Sequence, residues 1–182
     1  EEELIHLNDL TLWSGEPVDV AADTLAAKEG LEPVRKALEA EDYAKADILQ
    51  QRLQGKNSQR YLPMADLCIY FNHEGPAEEY SRSLDISKGI ARVRYKAGGT
   101  TYTRSCFVSH PDKALVIELE ADRKGALNCS LTLKSLLRYE IAAENGILAM
   151  KGYGPYDGGA YDPKRGIRFA ALAQTAETDG TA

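Results

Sequence analysis

One tryptophan, two methionines, three phenylalanines, three histidines and three cysteines are all that these 182 residues hold of those types. Each scarcity excludes something. Cys68, Cys106 and Cys129 are odd in number and spaced too widely for a zinc knuckle or a CxxC redox pair. Each sits in a strand-like apolar run ("DLCIYF", "SCFVS", "LNCSL"), where cysteine acts as a small buried hydrophobe; one disulfide with a thiol left over stays open. His6, His73 and His110 are scattered, with no second histidine three or four residues away to complete a helical metal face. They read as surface or singly hydrogen-bonded groups. No apolar run approaches the roughly 20 residues that cross a bilayer. The balance of 22 Lys and Arg against 28 Asp and Glu leaves a net charge of -6, which argues against nucleic acid, since that partner needs a concentrated basic surface. The opening "EEELIHLND" is acidic and has neither the basic start nor the apolar core of a signal peptide. There is no G-x-S-x-G elbow and no P-loop, and the glycines of "KGYGPYDGG" precede no helix that could face a phosphate. No metal, cofactor or nucleotide is expected.

What is present is an ordinary globular mixture, 43% apolar and 27% charged, long enough for one domain with a real core. The texture changes twice. Residues 24–55 are rich in Ala, Leu, Glu, Lys and Gln, with Val34, Leu38, Ala46, Leu49 and Leu53 at helical spacing. They predict two short helices, with Pro33 in the first turn of the first, "EAEDY" as a polar corner and Gly55 as the stop. Beyond Gly55 the pattern is strand-like: Tyr61–Phe71, Tyr80–Ser87, Ile90–Ala97, Thr101–Ser109 and Ala114–Ala121. Then comes "ALNCSLTLKS", with Leu127, Cys129, Leu131 and Leu133 on one face. Gly98-Gly99 and Asn145-Gly146 are two-residue hairpin signals, and a last strand begins at Ile167. Short strands with frequent turns and no room for crossover helices predict a mainly β, antiparallel sandwich carrying an inserted helical hairpin.

Chemistry is harder to find. Glycoside hydrolysis needs two carboxyl groups across a bond, one of them kept protonated by its surroundings. Here the acidic runs Glu1 to Glu3, Glu78-Glu79 and Glu39, Glu41 and Asp42 read as solvated faces, and no catalytic pair stands out. The segment from Lys151 to Gly166 places Tyr153, Tyr156 and Tyr161 among glycines. Their rings suit a sugar face or a domain contact, though the plainer expectation is an exposed, mobile loop. Trp13, in "LNDLTLWSGEP", is expected to plug the core near the end of a strand, with Ser14-Gly15 turning the chain, and it joins the three tyrosines as a candidate sugar or interdomain contact.

The blocks "LNDLTLWSGEP", "YLPMADLCIYF", "YSRSLDISKGIARVRYKAGGTTYTRSCFVSHPDKALVIELEAD" and "IRFAALAQTAETDG" occur in an order and spacing that resemble the N-terminal domain of glycoside hydrolase family 95, the α-L-fucosidases. The helical segment "VRKALEAEDYAKADILQQRLQG" is similar as well, so the resemblance runs from about Leu4 to the end. It implies a supersandwich-like β domain that precedes a helical catalytic barrel. It also implies an inverting enzyme that releases terminal α-linked, often α-1,2-linked, L-fucose, with L-galactose preferred by some members, and that is exported from a bacterium. The family's general acid and its water-activating residues lie in that barrel, so none is carried onto this sequence.

Three features depart from the pattern. An earlier strand and a "P-x-G-N-G"-like stretch do not precede the first block, which would leave a sheet edge open to dimerisation. Ala65 stands where glycine is expected in "P-x-G-D-L", and Ser105 where glutamate often follows Thr-Arg. The expected role is a non-catalytic domain that contacts the barrel of the same polypeptide and serves an enzyme of fucosylated oligosaccharides. The alternative is a stand-alone carbohydrate-binding or structural β-sandwich.

Overall fold

A computed structural model describes residues 2–17, 20–54 and 59–178. The chain is mainly β, with ten strands among the described residues, β1(Glu2–Leu7), β2(Ala65–Phe71), β3(Glu78–Asp85), β4(Ile90–Ala97), β5(Thr100–Ser109), β6(Ala114–Ala121), β7(Cys129–Lys134), β8(Arg138–Glu144), β9(Ile147–Tyr153) and β10(Arg168–Gln174). Two helices, α1(Val20–Glu39) and α2(Tyr43–Gln50), and a 3-10 turn at Gln51–Leu53 lie between β1 and β2. The strands form three sheets, in the orders β1-β2-β7, β3-β4-β5-β6 and β10-β9-β8. Tertiary contacts divide the chain into two units.

The first unit holds the start of the chain to Ile5, Asp66–Lys134 and the stretch from Gln174 onward, and with them the first two sheets. β2 is the middle strand of its sheet, and its unbroken run "ADLCIYF" shows why: Leu67, Ile69 and Phe71 are buried on one face and Cys68 on the other. β7 runs antiparallel to it, Leu67 opposite Leu133 and Phe71 opposite Cys129. Among the described residues, β1 and β7 are the outer strands of that sheet. In the four-stranded sheet, β4 and β5 join through Gly98-Gly99, both at positive φ (54° and 73°), the two-residue turn whose twist matches the strands. A Cβ on Gly98 would stand 3.0 Å from the Glu74 carbonyl oxygen, so packing as well as φ requires glycine there. The turn fixes the register, setting Tyr95 opposite Tyr102 and Val93 opposite Arg104.

That register puts Tyr95, Tyr102 and Arg104 on one face, and all three are buried. The Arg104 guanidinium reaches from β5 to Glu3 of β1 as an ion pair and lies 4.9 Å from the centre of the Phe71 ring of β2 and 5.6 Å from that of Tyr95. Tyr95 stacks on Tyr102 at 5.3 Å, and His73 tilts against Tyr102 at 5.0 Å with Nε2 3.1 Å from the Tyr95 hydroxyl. One buried cation and four rings thus join the two sheets of this unit.

The second unit holds His6–Ala65 and Ser135–Ala173. Its helices differ from the sequence expectation. α1 runs 20 residues, so Pro33 lies in its interior and not in its first turn. The Ala- and Glu-rich residues upstream are strong helix formers, and an exposed proline removes only the bond to the Glu29 carbonyl. The packed face of α1 is Gly30, Val34 and Ala37, spaced by four and three, while Leu38 is exposed. Gly30 admits the 3-10 turn closely: a Cβ there would meet Leu53 Cδ2 at 3.1 Å. The polar corner holds as expected, with Glu41 at φ 56° and the Asp42 carboxylate accepting from Lys45 N at 3.1 Å to cap α2. Gly55 lies outside the described residues.

Three strand boundaries also moved. Tyr61 does not begin β2, because Pro63 lacks the donor a central strand needs; the strand starts at Ala65. β3 ends at Asp85, two residues early, because that carboxylate accepts from Ser87 N and Lys88 N and turns the chain. It begins early as well, with a bulge between Glu78 and Ser81. In β7 the expected apolar face closes only at Leu133; Leu127 and Leu131 stay partly exposed. Asn145-Gly146 does make the β8–β9 turn, at φ 52° and 75°.

Truncating Arg104 to Ala would leave Glu3 and the rings facing a void, so denaturant unfolding should show a loss of about 3–5 kcal/mol. Arg104→Met, which refills the space but still leaves Glu3 without its cation, should recover only the part of that loss that comes from the void. An Ala variant as stable as the parent would mean that the cation holds nothing together.

Candidate functional site

The segment around Trp13 is built by short-range hydrogen bonds. The Asp9 carboxylate accepts from Thr11 N and Thr11 Oγ1, and Leu12 N donates to the Asp9 carbonyl at 3.1 Å. This curl drives Leu12 inward, where it meets Leu62 and Leu137 with Met64, Ile167 and Phe169 packed around them. The core plug is therefore Leu12. Trp13, its neighbour on an extended backbone, points the other way and is 43% exposed. Its indole Nε1 donates to the Leu10 carbonyl at 3.0 Å, and its ring meets Tyr61 edge to face at 5.6 Å across an isolated antiparallel bridge. Tyr61 is 42% exposed.

Ser14 and Gly15 then lock the segment to two others. Ser14 is buried; its N donates to the Arg60 carbonyl at 2.8 Å and its Oγ accepts from Arg60 N at 2.9 Å. Gly15 takes φ 91° and donates to the Pro155 carbonyl at 2.8 Å. Glu16 forms a two-pronged ion pair with Arg165, whose guanidinium lies 3.8 Å from the centre of the Tyr156 ring. "WSGE" thus ties the residue 60 region to the tyrosine-bearing loop.

That loop is braced by hydrogen bonds and ring contacts, and its tyrosines are not freely exposed. Asp157 bridges to Ala160, Tyr156 N donates to the Ala160 carbonyl, and Arg60 Nη2 donates to the Gly158 carbonyl at 2.9 Å. Tyr153 and Tyr161 meet edge to face at 6.0 Å, and Arg138 lies 5.5 Å over Tyr161. All three tyrosines are half-buried. The structure brings Tyr153 and Tyr161 together and gives Tyr156 a cation of its own. Sequence reading missed Tyr61, Arg138 and Arg165; the closeness of aromatic and arginine residues in "QRYLP" and "YDPKRGIR" was the available signal for Tyr61 and Arg165, and Arg138 had none.

Acid–base chemistry finds no support in the carboxylates with displaced acidity. Asp9 is lowered by the Thr11 hydroxyl, Glu79 by the Lys96 ammonium, Asp85 by the Ser87 hydroxyl and Asp122 by Thr101 N. A glycosidase acid requires the opposite displacement. Among the described residues, no group of histidine, cysteine or carboxylate side chains could hold a metal ion. Cys68, Cys106 and Cys129 are free thiols, and burial pushes the Cys129 thiol up. His6 and His110 are exposed.

The family model for the glycosyl hydrolase family 65 N-terminal domain matches residues 1–182. The chain belongs to that family. This glycosyl hydrolase N-terminal domain is also similar to the protein named alpha-L-fucosidase 2 of Arabidopsis thaliana, at 26% identity over 196 residues that cover 98% of this chain and 23% of the relative. The chain therefore spans about a quarter of the plant protein it matches. The sequence resemblance to family 95 and these findings agree on the N-terminal domain of a glycoside hydrolase.

Two expectations follow for this N-terminal domain. Its lone tryptophan should emit as a half-solvated indole and be quenched by acrylamide; a blue-shifted, protected emission would contradict the placement of Trp13. Lowered folded-state values mean that Asp9, Glu79, Asp85 and Asp122 favour the fold when ionised. That contribution is complete above the ordinary carboxylate range and is lost as pH falls through the lowered values. Melting temperature should drop with acid, and Asp122→Asn should drop less steeply.

Proposed function

We propose that this chain is the non-catalytic N-terminal domain of an inverting α-L-fucosidase of the family 95 type, which releases terminal α-1,2-linked L-fucose from glycans. The observation that carries the reading is the alignment of 98% of this chain with 23% of a protein named as an α-L-fucosidase. In this reading catalysis belongs to a helical barrel in the rest of the polypeptide. The outward rings of Trp13 and Tyr61 and the cation-covered Tyr153, Tyr156 and Tyr161 serve as contacts to that barrel. Aromatic and arginine side chains are the residues that interface centres favour, and these are already held rigid, so docking costs little side-chain entropy.

The test compares two proteins on 2'-fucosyllactose and a nitrophenyl α-L-fucoside. The longer polypeptide should release fucose, first as the β anomer by proton NMR, and residues 1–182 alone should release none above buffer. Turnover by the isolated chain would place catalysis in this domain and overturn the reading. Inactivity of the longer polypeptide on fucosides would favour a stand-alone binding or structural module.

A further inference from the structure

At the end of the β2–β7 ladder, within the first unit, Tyr70, Phe71, Asn72, Asn128, Cys129 and Ser130 line an open groove of about 410 Å³. The two strands are held together there by the last ladder pair, Phe71 opposite Cys129, and by Asn72 N donating to the Asn128 carbonyl at 2.9 Å. The backbone of the floor is therefore fixed, and its polar side chains stand on either side of it.

The lining has an uncommon chemistry for this acidic chain: it carries no carboxylate, lysine or arginine. The nearby cation, Lys134, is already engaged, its Nζ donating to the Tyr70 hydroxyl at 2.7 Å and lying 5.4 Å from that ring's centre. Burial pushes the Cys129 thiol up, which keeps it neutral at physiological pH. A groove without net charge favours neither an anion nor a cation. Two primary amides and a hydroxyl each both donate and accept, as the vicinal hydroxyls of a sugar do, and the Tyr70 ring, held in place by Lys134, supplies an apolar face. The volume is near the lower end of the range for small-molecule sites, suited to one or two sugar rings.

We propose that this groove is a non-catalytic subsite for a neutral oligosaccharide, with Asn72, Asn128 and Ser130 as hydrogen-bonding partners and Tyr70 as its aromatic wall. The proposal rests on the glycan-directed reading above for its ligand class. Its residues belong to the first unit, whereas Trp13 and the tyrosine-loop residues belong to the second.

The test titrates the full chain with 2'-fucosyllactose, and with lactose in parallel, and follows backbone amide shifts. Saturable shifts should centre on Asn72 and on Asn128 to Ser130, and the same titration should slow alkylation of Cys129, read by mass spectrometry. Asn72 and Asn128 are exposed, so the double change Asn72→Ala and Asn128→Ala should leave the melting temperature intact. It should weaken binding roughly tenfold, the combined effect of two neutral hydrogen bonds. Shifts centred on Trp13 or Tyr156, an undiminished affinity in the double variant, or no saturation well above millimolar sugar would each overturn the subsite. None of those results would alter fucose release by the longer polypeptide, so the subsite and the fucosidase reading fail separately.

Discussion

A guanidinium removed from water is the constraint on which the first unit depends. Arg104 stands on the inward face of β5, where an unpaired charge would be severely destabilising, and it is held by Glu3 of β1 and by the faces of Phe71 and Tyr95. Its Nε and Nη1 are buried with no hydrogen-bond partner among the described residues, so the rings carry much of the compensation. This ties together elements far apart in sequence. β1 must lie beside β2 to bring Glu3 within reach, and the Gly98-Gly99 turn must hold its register. A slip of one residue would put Tyr95 on the face opposite to Tyr102 and Arg104.

The second unit solves a different problem with smaller parts. Its centre is the aliphatic contact of Leu12, Leu62 and Leu137, reached because the Asp9 carboxylate curls the chain just before it. The same curl leaves Trp13 outside. Ser14, Gly15 and Glu16 then spend their polar groups on the residue 60 region and the loop after β9. A short polar phrase thereby fixes the geometry of several aromatic rings without burying them completely. Rings held by cations and backbone bonds are preorganised surfaces, suited to contact more than to chemistry.

This division of labour agrees with the N-terminal domain of a glycosyl hydrolase. Hydrolysis of a glycosidic bond asks for a carboxyl group kept neutral by an apolar setting, whereas the carboxylates displaced here are held ionised by hydroxyls, backbone amides and a lysine. The groove between Asn72 and Asn128 is likewise equipped to hold a polyol and not to cleave one. These side chains are held by short-range bonds and ring contacts, an arrangement that favours preorganised surfaces.

By itself the sequence determined the class of the fold and most of its punctuation. Alternating strands, the Gly-Gly and Asn-Gly turns, the polar corner before Tyr43 and the helical block were legible because backbone sterics and short-range hydrogen bonds write them locally. It also carried the likeness to the N-terminal domain of a glycoside hydrolase, through blocks such as "TLWSG". The extent of α1 upstream of Pro33 was less legible, since summed helix propensity there outweighs one missing bond. Only the tertiary structure decided that Leu12 and not Trp13 fills the core, that Arg104 is buried, that His73 joins two tyrosines, and that each tyrosine of the late loop has a partner. Those outcomes depend on which side chains from distant strands arrive at the same place, and periodicity along a single strand says which face a residue takes but not what waits there.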